Sequence, residues 1–260
     1  MNNLLKTTTV FIMMLLGCES TSALKPSEQH HESPKIVESV LPSVSRGFNA
    51  IPKDGADPFP EVCAIRTIFG ELICTGTLID PNIVLTAGHC LCDDFGIFWV
   101  EVGGDLYSVK KVIQHPEYQI GLNSIHNDAA IIVLNQNVGG IAPVCLNSES
   151  LMAYKGTAVV TAGYGSNIKK YSPLGLFWYY GTLKSEPTNL KILTLRGSSI
   201  FHGDSGGPVY MLINCRLVMV GINSSYSIQD NKIYENSACR VDVIYDWIIR
   251  TAENERMVPN

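Results

Sequence analysis

Ser205 stands in Gly203-Asp204-Ser205-Gly206-Gly207-Pro208, and glycines on both sides of a serine permit a tight turn with positive φ and leave space beside the hydroxyl. A serine hydroxyl is a weak nucleophile unless a base lies within hydrogen-bond reach and a third group fixes that base. The candidates for the base are six histidines, His30, His31, His89, His115, His126 and His202, all of which precede Ser205. His89 lies in Leu85-Thr86-Ala87-Gly88-His89-Cys90. His126 opens His126-Asn127-Asp128-Ala129-Ala130-Ile131, where Asp128 leads into the apolar run 129–134. A carboxylate entering such a run is costly without a partner, and His89 is the natural one. The chemistry implied is nucleophilic displacement with Ser205 attacking, His89 as base and Asp128 orienting it.

Chain order separates two scaffolds for that chemistry. Gly203-x-Ser205-x-Gly207 also fits the nucleophile elbow of the α/β hydrolases, but there the histidine follows the serine, and here none does. The order His, Asp, Ser, with Thr86-Ala87-Gly88-His89-Cys90, Asn127-Asp128-Ala129-Ala130 and Gly203-Asp204-Ser205-Gly206-Gly207-Pro208 in succession, resembles the chymotrypsin/trypsin family of serine peptidases over roughly residues 47–260. The resemblance implies an all-β fold: two six-stranded antiparallel β-barrels with a C-terminal helix. It implies an endopeptidase acting on proteins or peptides as a monomer. Catalytic residues would be His89, Asp128 and Ser205, with the backbone N–H groups of Gly203 and Ser205 receiving the oxyanion, and no metal or organic cofactor. Rival readings are a catalytically silent binding module on the same barrels and an esterase using the same three residues.

The resemblance extends to specificity and activation. Ser199 occupies the position six before the nucleophile where trypsin-like members carry the aspartate that pairs with Arg or Lys. Phe201 replaces the family's cysteine four before the nucleophile. Ser224 aligns with the serine bordering the triad aspartate and the substrate backbone, and Tyr226 stands where many relatives have a pocket-edge glycine. Together these imply a neutral P1 preference, with Glu235 in the loop 223–236 the acid that could reverse it. Arg46-Gly47-Phe48 stands at the place of the family's activation cleavage, where the new ammonium folds in to pair with the aspartate before the nucleophile, here Asp204. The usual Ile-Val-Gly-Gly start is absent, and the competing reading is a linker arginine with Asp204 held by another donor.

A chain of 260 residues, 46% hydrophobic and 17% charged, buries a large core as one catalytic unit plus a leader. The net charge of -5, with no basic cluster beyond a pair of lysines, argues against nucleic acid. Eight cysteines point to an oxidising compartment. Residues 1–17 hold one lysine and an apolar run too short to span a bilayer, and read as a signal peptide. Leu15-Leu16-Gly17-Cys18 resembles a bacterial lipobox, making Cys18 a lipidation site and membrane anchor; the alternative is ordinary cleavage nearby, for instance after Ala23. The implied location is outside the cytoplasm, as a bacterial envelope lipoprotein or a secreted form released from it. Residues 18–46 are polar, without apolar periodicity, and read as linker or propeptide, so the His30-His31 pair reads as solvated rather than metal-binding. Residues 47–260 form the peptidase domain.

Within that domain, residues 61–68, 72–79, 98–102, 106–113, 129–134, 158–162 and 217–222 read as strands, and 241–250, with Trp247, as the closing helix. His115-Pro116-Glu117-Tyr118 resembles the family's surface turn. The family's disulfides imply Cys74 with Cys90, flanking His89, and Cys215 with Cys239. Cys145 finds no cysteine in 19–46 and is left with Cys63 or Cys92. Zinc held by His89, Cys90 and Cys92 is the competing use of those thiols.

Overall fold

The computed structural model describes residues 58–91, 96–97, 99–121, 125–154, 156–165, 177–185, 191–195, 200–214, 216–229 and 232–256. Cys18, His30, His31, Arg46, Gly47, Cys92, Ser199 and Cys215 lie outside them. The first half contains β1 (Val62–Arg66), β2 (Leu72–Asp80), β3 (Ile83–Thr86), β4 (Trp99–Val102), β5 (Asp105–Gln114), β6 (Gln119–Ile120), β7 (Ile125–His126) and β8 (Ala130–Leu134). The second contains β9 (Ala158–Gly163), β10 (Phe177–Ser185), β11 (Lys191–Leu195), β12 (Pro208–Ile213), β13 (Arg216–Gln229), β14 (Lys232–Arg240) and helix α1 (Val241–Glu255).

Two closed six-stranded antiparallel barrels result, in the orders β1-β2-β3-β8-β5-β4 and β10-β11-β14-β13-β12-β9, while β6 and β7 form a small separate ribbon. The first barrel follows from its apolar, β-branched runs. Every residue of β1, β3 and β8 is buried, as strands enclosed on both faces require. Gly76 on β2 is needed for close packing, since a Cβ there would lie 2.7 Å from Val84 Cγ1 and 3.2 Å from Cys63 Sγ.

The second barrel departs from the sequence reading. Residues 223–229 and 232–236, read as a loop, are the continuation of β13 and its partner β14, paired from Gly221↔Arg240 to Gln229↔Lys232 with irregularities at Asn223/Ser225 and Ser227/Ile228. Their polar residues suppress the periodic signal. Asn223 and Ser225 are nonetheless buried, each with a polar partner: Asn223 Nδ2 donates to Thr161 Oγ1, and the hydroxyls of Ser225 and Ser237 bond at 2.6 Å.

Helix α1 runs five residues beyond its expected end and buries Val241, Ile244, Ile248 and Ala252 on one stripe. Although it follows the second barrel in sequence, its last turn is fixed to the first. Asn82 Nδ2 donates to the Glu255 carbonyl at 3.3 Å, Lys111 pairs with the Glu255 carboxylate, and Arg256 pairs with Asp80 at 2.5 Å. The barrels also meet where Tyr210 on β12 stacks on Phe59, ring centroids 5.1 Å apart, and donates to Glu61 Oε1 at 2.5 Å.

Cys74 and Cys90 form a disulfide, Cα atoms 6.3 Å apart and 16 residues apart in sequence, worth on the order of 3 kcal/mol by loop entropy. The remaining pairings are corrected. Cys63, Cys145 and Cys239 are free thiols, so Cys145 is bridged to neither of its candidates and Cys239 is not bridged to Cys215. Cys239 pairs with Ile222 in the register of β13 and β14, and its thiol is buried and free. Burial pushes the Cys239 thiol well above its ordinary pKa, so it stays protonated and inert.

Candidate active site

Three loops, each leaving a barrel strand, bring the expected residues together. His89 opens a short 3-10 turn just after β3, Asp128 lies two residues before β8, and Ser205 lies three before β12. β3 and β8 pair directly, Thr86 opposite Ala130, so the loops bearing His89 and Asp128 leave adjacent strand ends. Ser205 arrives from the other barrel. Its carbonyl accepts from the Thr75 N–H of β2, which fastens its loop to the first barrel next to the Cys74–Cys90 disulfide.

The side chains form a line. Ser205 Oγ is 3.2 Å from His89 Nε2, and His89 Nδ1 is 3.2 Å from Asp128 Oδ2. Asp128 Oδ1 accepts from the His89 backbone N–H at 3.0 Å, and Oδ2 also accepts from Ser224 Oγ at 2.8 Å. A carboxylate only accepts, so Nδ1 carries the hydrogen and Nε2 is left to accept from the serine hydroxyl. Asp128 is 1% exposed, and its three donors offset the cost of burying it. Asn127, with φ of 47°, turns the chain before it and donates through Nδ2 to the Glu117 carbonyl at 3.2 Å. The His89 side chain, 16% exposed, keeps one route to solvent.

The Ser205 loop is built on glycine conformations. Gly203 and Gly206 have φ of 92° and 91°, and Gly207 leaves no room for a Cβ, which would lie 2.0 Å from the Ala162 carbonyl oxygen. Thr75 is a residue that motif reading missed. Its buried hydroxyl donates to the Gly203 carbonyl at 2.7 Å and accepts from the Tyr164 N–H at 2.9 Å, tying the Ser205 loop to both barrels. A threonine inside a strand carries no local mark of such a role.

Asp204 is fully enclosed by the loop it shapes. Its carboxylate accepts from the Gly165 N–H at 2.7 Å and the Phe201 N–H at 2.9 Å. Burial nevertheless outweighs these bonds and raises its pKa to about 7. Between the unfolded value near 4 and this folded value, the native state holds a proton that the unfolded chain has lost. Stability is therefore expected to fall as pH rises from about 4 to about 7, by on the order of a few kcal/mol, and to level off above that. Melting temperature against pH for the chain uncleaved at Arg46 measures the slope, which Asp204→Asn should abolish.

The other expected positions divide. Ser224 touches Asp128, while Tyr226, two residues further on β13, is buried with its phenol pKa raised by desolvation. His115 is not a surface residue. It is 8% exposed, packs on Trp247 of α1 with ring centroids 4.6 Å apart, and accepts through Nδ1 from the Glu117 N–H. Its role is to tie the turn after β5 to the helix. Cys74, His89 and Cys90 lie close enough together to suggest a metal cluster, but the two sulfurs are bonded to each other and lack the thiolates a zinc site needs.

Comparison with known proteins agrees with the fold. The chain is 28% identical over 231 residues to venom serine protease 34 of Apis mellifera, covering 75% of this chain and 56% of that protein. It is 32% identical over 106 residues to human granzyme M, 37% of this chain and 41% of the relative. It is 25% identical over 203 residues to an uncharacterised peptidase of Corynebacterium glutamicum, 75% of this chain and 66% of the relative. The matches thus span less than two thirds of each relative. The model of the trypsin family matches residues 53–248, a stretch that contains both barrels and every residue of the Ser205, His89, Asp128 and Ser224 line, and on that match the chain belongs to the trypsin family of chymotrypsin-like serine peptidases.

Proposed function

We propose that the chain is a serine endopeptidase working through His89, Asp128 and Ser205. The observation that supports this most is the continuous line of contacts from Ser205 Oγ through both nitrogens of His89 to the buried, fully partnered Asp128. Ser205 Oγ attacks the scissile carbonyl carbon while its proton passes to His89 Nε2, and Asp128 stabilises the imidazolium that results. The tetrahedral oxyanion is received by the backbone N–H groups of Gly203 and Ser205, a pair whose orientation the positive-φ turn at Gly203 governs. Collapse breaks the C–N bond, and His89 returns the proton to the leaving amine. Water, activated by the same imidazole, then hydrolyses the acyl ester and restores Ser205.

Substrate choice follows from the pocket positions. Ser199 in place of an acidic residue leaves a cationic P1 side chain without a fixed counter-charge, which is costly in a partly buried pocket. Buried Tyr226 adds aromatic bulk on β13 close to Ser224. The P1 residue is accordingly neutral, apolar or small. A fluorophosphonate probe is expected to label the wild-type protein and not Ser205→Ala, and a peptide library is expected to return neutral P1 residues. Absence of labelling on folded protein would overturn the enzymatic reading, and dominant Arg or Lys at P1 would overturn the reading of Ser199.

A further inference from the structure

We propose that Gln114 is a positioning residue for His89, a role that rests on reading His89 and Asp128 as the base and its partner. Gln114 is the last residue of β5 and pairs there with Ala130, two residues after Asp128. Its side chain is half-buried and turns toward a different loop: Nε2 donates to the carbonyl oxygen of Gly88 at 2.6 Å. That carbonyl and the His89 N–H belong to one peptide plane. In a trans peptide they point in opposite directions, so the plane is gripped on both edges, by Gln114 on its oxygen and by Asp128 Oδ1 on its N–H at 3.0 Å.

The orientation of this plane sets where the His89 Cα–Cβ bond aims, and through it the reach of Nδ1 to Asp128 and of Nε2 to Ser205. Within the loop itself, the Gly88 carbonyl accepts from the Leu91 N–H at 3.2 Å, a bond that closes the 3-10 turn but comes from the same loop and so moves with it. Gln114 supplies an external anchor, from the strand paired with β8, which Asp128 precedes by two residues. The surroundings leave little slack on the other side. A Cβ on Gly88 would lie 2.8 Å from the Tyr118 ring and 3.1 Å from Asp128 Oδ1, so there is no room for a side chain between this loop and the turn that follows Gln114.

Gln114→Met keeps the length and removes the donor. It is expected to lower kcat about tenfold, with KM within about twofold of wild type, because misplacing a base by a fraction of an ångström affects the reacting geometry rather than ground-state binding. The same substitution in an Asp128→Ala background, read as the second-order rate of labelling by a fluorophosphonate, is expected to cost less than about twofold, since the peptide plane has then already lost its other grip. Equal losses in both backgrounds, or wild-type kcat in Gln114→Met, would overturn the proposal. Gln114→Leu, a second donor-free side chain, is read identically if the methionine variant folds poorly. Wild-type activity in Asp128→Ala or Ser205→Ala would remove the underlying reading and this proposal with it; loss there combined with an unaffected Gln114→Met removes the proposal alone.

Discussion

Ser205→Ala is expected to lower kcat by about 10⁴-fold to 10⁶-fold, with His89→Ala close to it and the double variant no worse than the more damaging single. The non-additivity is the distinctive part. In the proposed mechanism Ser205 and His89, 3.2 Å apart, exchange one proton, so removing either leaves the other with nothing to do. Asp128→Ala is expected to fall about 10⁴-fold and, unlike Ser205→Ala, to lose stability as well. Asp128 accepts from the backbone of the His89 loop and from Ser224 in addition to the imidazole, so its removal leaves buried donors unpaired. Steady-state peptide hydrolysis and thermal melting on the same four proteins check both parts. Additive losses in the double variant would show that the two residues do not act as one unit.

Gly206→Ala is expected to lower activity by about a hundredfold or more and to cost on the order of 3 kcal/mol or more in stability. Gly206 has φ of 91°, and its added Cβ would lie 1.9 Å from the Thr75 carbonyl oxygen and 2.6 Å from Thr86 Oγ1. Neither is the free end of a flexible chain, since Thr75 is in β2 and Thr86 Oγ1 itself donates to the Thr75 carbonyl at 3.1 Å. Relief has to come from moving the Ser205 loop off the first barrel, which separates Ser205 from His89. Gly104→Ala is the matched control. Its φ of 89° is equally unfavourable, but the Cβ meets nothing within 4 Å, so only the local backbone cost of about 1–2 kcal/mol is expected, with activity kept. Denaturant unfolding and kcat/KM of the two variants separate strain from collision.

What the chain order determines by itself is which residues are available for the chemistry: one serine between glycines, no histidine after it, and an acid at the mouth of an apolar strand. The first barrel is equally legible, because strands enclosed on both faces require the uninterrupted apolar, β-branched runs that β1, β3 and β8 display. The second barrel is not. The later half of β13 and its partner β14 carry serines and asparagines whose burial is tolerable only because strands distant in sequence supply their hydrogen bonds, as Thr161 does for Asn223 across 62 residues. The same limit applies to the thiols. The resemblance implies a bridge at Cys239, and the fold leaves its thiol buried and free. Thr75 and His115 gain their contacts only in three dimensions, since nothing local distinguishes a threonine in a strand that holds the Ser205 loop through Gly203, 128 residues away, from one that merely fills space. Local periodicity reports which face of a strand meets apolar surroundings; which loops converge, and which polar atoms complete one another, is decided by the closure of the two barrels.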